Sequence, residues 1–112
     1  MDDLFVFLQD VREIDSQPDR SILSKTIQND ERSKVILFSF AAGQELSAHT
    51  APFPATIYIA KGEATLKLGE EEREATEGTF AYMTANLVHG IQARTDVVMI
   101  LTMLKNPAPN PA

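Results

Sequence analysis

Gly43-Gln-Glu-Leu-Ser-Ala-His49-Thr-Ala-Pro52 opens a segment that runs through Lys61-Gly62-Glu63 and Gly78-Thr79 to Leu87-Val88-His89. Both histidines of the chain lie in it. Its apolar residues come in short clusters rich in Ile, Val and Phe, and single glycines separate them. That pattern belongs to strands joined by turns. Residues 56–60 read as a strand closed by Lys61-Gly62. Residues 64–68 alternate and run into a hairpin tip at Gly69-Glu70, and 73–76 form the return strand, stopped by Gly78. Residues 79–83 and 89–93 are further strands.

The same reading extends outward. Residues 97–104 form a strongly apolar strand after the turn Arg94-Thr95-Asp96. Residues 35–40 are β-branched and aromatic, and 21–28 alternate weakly, with Asn29-Asp30-Glu31 as the turn between them. The phenylalanine-rich run 4–8 reads as a strand buried on both faces, followed by a polar loop over 10–20. Residues 1–105 are expected to form one domain, and 106–112, with three prolines, a mobile tail. Many short strands without a long amphipathic helix predict an all-β sandwich or barrel.

Composition narrows the chemistry. The chain has 112 residues, a net charge of -6 and no cysteine. Disulfides, thiolate metal sites and cysteine nucleophiles are therefore excluded. An acidic surface repels phosphate backbones, so no nucleic-acid partner is expected. No apolar run approaches a membrane span. The acidic start lacks the positive charge of a secretory signal, so a cytoplasmic location is expected.

The spacing of the segment resembles the two signature motifs of the cupin superfamily. Gly43, His49 and Gly62 stand at the first motif's positions, and Gly78 and His89 at the second's. The resemblance implies a jelly-roll β-barrel, the double-stranded β-helix of RmlC-like cupins. It also implies a divalent metal (zinc, iron, nickel or manganese) held by three histidines and a glutamate, and a homodimer. Two of those ligands are missing: Ala51 stands where the second histidine belongs, and Ala55 where the glutamate does. Thr84, Asn86 and Ala93 replace the second motif's Pro, Gly and Asn.

Residues two apart on a strand share a face. Barring a bulge, His49, Ala51, Phe53 and Ala55 would line one wall of the barrel interior, with His89 opposite. The nearest oxygen donors, Gln44, Glu45 and Gln92, are not expected on the histidine face, and neither is Tyr58. His49 and His89 alone would then be metal ligands, one short of the three that catalytic zinc normally has.

Three functions remain open. The first is binding of a small organic molecule around His49, Ala51, Phe53, Ala55 and His89. The second is a metal-dependent dioxygenase- or isomerase-like enzyme, and the third a structural dimeric module. No nucleophile–base arrangement and no phosphate-binding glycine loop is readable. Phe38, Phe40, Phe53, Tyr58, Phe80 and Tyr82 are expected in the core, as are Met83, Met99 and Met103. Glu70-Glu71-Glu72 should be a solvated hairpin tip. The unbroken apolar runs 4–8 and 97–104 need a second cover, which a homodimer would supply.

Overall fold

The computed structural model describes residues 4–13 and 21–105. The tail expected over 106–112 lies outside the described residues. After a 3-10 turn at Val11–Glu13, the strands are β1 (Ile22–Asn29), β2 (Ser33–Phe40), β3 (Glu45–His49), β4 (Ala55–Lys61), β5 (Ala64–Leu68), β6 (Glu71–Ala75), β7 (Phe80–Met83), β8 (His89–Ala93) and β9 (Val97–Leu104). They form two antiparallel sheets, in the orders β1-β2-β9-β4-β7 and β3-β8-β5-β6. The expected all-β architecture is what the chain adopts.

Local chemistry sets the turns. Asp30 accepts hydrogen bonds from the backbone N–H groups of Arg32 at 2.8 Å and Ser33 at 2.9 Å, which closes the β1–β2 hairpin. Those bonds, that of Arg32 first, hold the Asp30 carboxyl below its ordinary range. Gly62 has φ +92, and a Cβ there would lie 2.0 Å from the Asp96 carbonyl oxygen, so only glycine fits.

The core lies between the inner faces of the two sheets. Phe40, Ile59, Leu66, Met83 and Val97 are almost wholly removed from water. Phe40 and Val97 are cross-strand partners in the five-stranded sheet, while Leu66 comes from the other sheet. Strand β9 is bonded to β2 on one side and β4 on the other. Its Val97 and Met99 point into this core, and Val98 packs on the outer face with Leu37 and Ala60. The unbroken apolar run of β9 is thereby explained.

Residues 4–8 depart from expectation. They form no strand, and Leu4, Phe5 and Phe7 are 95%, 78% and 70% exposed. An apolar run satisfies the composition of a buried strand, but among the described residues no neighbouring strand pairs with these. Tyr58, Phe80 and Tyr82, expected in the core, are also exposed, because they alternate onto the outer face of the five-stranded sheet. Met83 and Met99 are core residues, as expected, and Met103 is partly buried.

Truncating Phe40, the largest side chain with no exposure, leaves a cavity between the sheets. Phe40→Ala is expected to lower unfolding free energy by about 3–5 kcal/mol, measured by chemical denaturation.

Candidate functional site

His49 ends β3 and His89 begins β8, and the two are cross-strand partners. Their rings lie 4.4 Å apart, tilted by 56°. His49 is exposed and His89 partly buried. His49 Nδ1 is 2.8 Å from the Ser47 carbonyl oxygen, and His89 Nδ1 is 2.8 Å from that of Leu87. A carbonyl oxygen can only accept, so each Nδ1 carries the proton and donates it. In the neutral rings both Nε2 atoms are then lone pairs, free to receive a hydrogen bond or coordinate an ion.

A bulge makes this meeting possible. From Leu46 to His49 is three residues along β3, while their partners Ile91 and His89 are two apart on β8. The extra residue brings both Leu46 and His49 onto the inner face. It also keeps Glu45 off the histidine face, as expected, but the bulge is the reason: Glu45 lies four residues before His49, and strict alternation alone would place it on that face. With the bulge, Glu45 instead pairs with Gln92 and lines an outer groove with Ala48, Lys67 and Glu72.

Gly90 accommodates the bulge. A Cβ at this position would sit 2.9 Å from the Leu46 carbonyl oxygen, 3.1 Å from the Ala48 nitrogen and 3.2 Å from the Ala48 Cα. All three are backbone atoms and cannot swing aside. The glycine beside His89 therefore sets how closely β3 approaches β8.

The histidines border a cavity of about 30 Å³, lined further by Leu46, Ile57, Gly90, Ile91, Met99 and Leu101. That is room for one water-sized group. Ala51, Phe53 and Ala55 are not in this lining. Strand β3 stops at His49, and Pro52 and Pro54 interrupt the stretch before β4, so the expected two-residue row does not continue. Ala51 instead accepts a 2.8 Å hydrogen bond from the Asn86 backbone N–H, where Asn86 takes φ 68. Ala55 is buried at the start of β4, between Met83 and Met103. The sequence reading missed Ile91, Met99 and Leu101 as lining residues, although alternation from His89 along β8 and from Val97 along β9 turns all three inward. Among the described residues no three His, Cys, Asp or Glu side chains are grouped to hold a metal.

The family model for the cupin domain matches residues 36–105. The chain is a member of the cupin family. The solved structures agree on this cupin's fold. A conserved protein of unknown function from Streptococcus pyogenes is 25% identical, with a TM-score of 0.82, over 96% of this chain and 93% of its own. A cupin superfamily protein from Desulfitobacterium hafniense is 21% identical, with a TM-score of 0.81, over 88% of this chain and 90% of its own. An RmlC-like cupin with a double-stranded β-helix fold from Methanocaldococcus jannaschii is 18% identical, with a TM-score of 0.73, over 96% and 94% respectively. No curated protein matches the cupin described here. Among its described residues no helix is long and apolar enough to cross a membrane.

Gly90→Ala is expected to push β3 away from β8 and part the two imidazoles. The measurable outcome is loss of ring-to-ring NOEs between His49 and His89, with a stability loss of about 1–3 kcal/mol. Unchanged NOEs would show that the strands yield elsewhere.

Proposed function

We propose that this cupin binds a small organic molecule, with His49 and His89 as its inner polar anchors. The observation that carries this reading is the matched pair of tautomers. Two backbone carbonyls, each 2.8 Å from an Nδ1, leave two Nε2 lone pairs beside one small apolar cavity. Such a site takes a hydrogen-bond donor no larger than a hydroxyl or ammonium group, while the body of the ligand stays outside.

The donor set does not fit the resident metal that the family implies. Two imidazoles fall one short of the three protein ligands of catalytic zinc. Iron(II) oxygenase sites add a carboxylate to two histidines, and the bulge turns Glu45 outward. No step is therefore assigned to a metal. Untagged protein is expected to carry zinc, iron, nickel and manganese far below one ion per chain by elemental analysis. Near-stoichiometric metal, lost in both His49→Ala and His89→Ala, overturns this reading in favour of a metal-dependent enzyme. In a thermal-shift panel of small acids, alcohols, sugars and aromatics, at least one compound should raise Tm with the logarithm of its concentration. Its effect should fall in both histidine variants. No shift across the panel favours a structural module.

We also propose a homodimer through the outer face of the five-stranded sheet. One row across it reads Lys25, Leu37, Ile100, Tyr58, Phe80, and the next Gln28, Val35, Thr102, Thr56, Tyr82. Neither row holds a carboxylate, in a chain with 16 Asp and Glu residues. A protein of net charge -6 meets its own copy most cheaply at such a face. Residues 4–8 extend the apolar surface, with Leu4, Phe5, Val6 and Leu8 beside Ile27 and Val35 around a cavity of about 560 Å³. Sedimentation equilibrium should give twice the 12.4 kDa chain mass. Phe80→Glu should give the monomer, and a monomeric wild type rules the interface out.

A further inference from the structure

The inner face of the four-stranded sheet is ordered in rows of cross-strand partners. One row is His49, His89, Leu68, Glu71, and the next is Leu46, Ile91, Leu66, Arg73. Directly opposed residues on neighbouring strands emerge on the same face. Glu71 and Arg73 therefore emerge on the same side as the histidines. The hairpin tip is solvated, as its run of glutamates suggests, but its charges are divided between the two faces of the sheet. Glu72 emerges on the other face opposite Lys67, and so does Glu74, which pairs with Arg94. Glu71 and Arg73 pair with each other.

These two charges line a cavity of about 350 Å³ with Leu68, Ala81 and Tyr82. It lies where β6, the edge of one sheet, meets β7, the edge of the other. It shares no lining residue with the histidine cavity, but the two linings are neighbours: Leu68 is the partner of His89, and Ala81 of Ile57. Inward charges on an edge strand also deter pairing with other chains. That role explains the charges but not the open groove beside them. The histidine cavity of about 30 Å³ is too small for an organic molecule, whereas this one is not.

We propose that this cavity binds a small aliphatic acid carrying a hydrogen-bond donor on the carbon next to its carboxylate, as in a 2-hydroxy acid. This goes beyond the ligand-binding reading of the histidine pair, because the donor of this ligand is held by Glu71 and its aliphatic end offers the imidazoles none. The planar Arg73 guanidinium presents two parallel N–H donors that match a carboxylate. Glu71, an acceptor only, then takes the neighbouring hydroxyl. Its pairing with Arg73 is exposed, at 64% and 66%, so exchange for a ligand carboxylate costs little. Leu68 and Ala81 receive the apolar chain. Neighbouring strands are about 4.8 Å apart, so β6 and β8 are separated by about 10 Å, and a six-carbon chain leaving Arg73 ends over Leu68, short of His89.

Isothermal titration calorimetry with 2-hydroxyhexanoate, hexanoate and hexanamide tests this. The 2-hydroxy acid should bind the wild type, hexanoate more weakly and hexanamide not measurably. Arg73→Gln should weaken binding of the 2-hydroxy acid about tenfold or more. Glu71→Gln should narrow the gap between the two acids. Arg73 is exposed, so the variant should keep the wild-type circular dichroism spectrum. Binding that is unchanged in Arg73→Gln, or no binding of either acid at millimolar concentration, overturns the inference. Binding lost in Arg73→Gln but untouched in His49→Ala and His89→Ala supports this site apart from the histidines. Binding lost in the histidine variants but not in Arg73→Gln removes this site alone.

Discussion

Two inner sheet faces press together across a layer of buried apolar side chains, and the rest of the structure follows from that contact. Phe40, Ile59, Leu66 and Val97 form the layer, each almost fully buried. Strand β9 anchors it, since β2 and β4 flank it and its apolar side chains are needed on both faces. Burial on this scale is the main favourable term in folding. It also holds β8 against β5, so that His89 stands at a fixed place on the cavity wall.

The histidine pair depends on a local exception to the sheet's regularity. An extra residue in β3 and the missing side chain at Gly90 act together. The bulge turns Leu46 and His49 inward and Glu45 outward, and the glycine lets the bulged backbone come close. The result is an apolar cavity with two basic nitrogens and no carboxylate beside them. A full metal site needs the opposite arrangement, with three or more donors converging on a point. The ligand positions filled by Ala51 and Ala55 and the outward turn of Glu45 thus lead to the same chemistry. The pair is suited to hold a donor group rather than to form a tight metal centre.

Charge is distributed by face rather than by segment. The acidic hairpin around Glu70 is continuous in sequence, yet its strand sends Glu71 and Arg73 to the cavity side and Glu72 and Glu74 to the other. The outer rows of the five-stranded sheet carry no carboxylate. One surface thus lacks carboxylates, and one groove carries an exposed ion pair.

The all-β architecture was readable in the sequence because strand periodicity and turn residues are local properties. The clusters at 35–40, 56–60 and 97–104 became β2, β4 and β9 with small shifts of boundary. The glycine and histidine spacing likewise pointed to the family and brought His49 and His89 together. Other features needed the tertiary structure. Composition alone cannot show whether residues 4–8 have a neighbouring strand to bond with, and among the described residues they have none. The row Ala51, Phe53, Ala55 failed because two prolines and the end of β3 broke the alternation on which it relied. The inward turn of Glu71 and Arg73 followed from β6 beginning at Glu71, earlier than the turn residues suggested. A strand's sequence fixes which residues share a face; only its register against its neighbours decides which face meets the cavity.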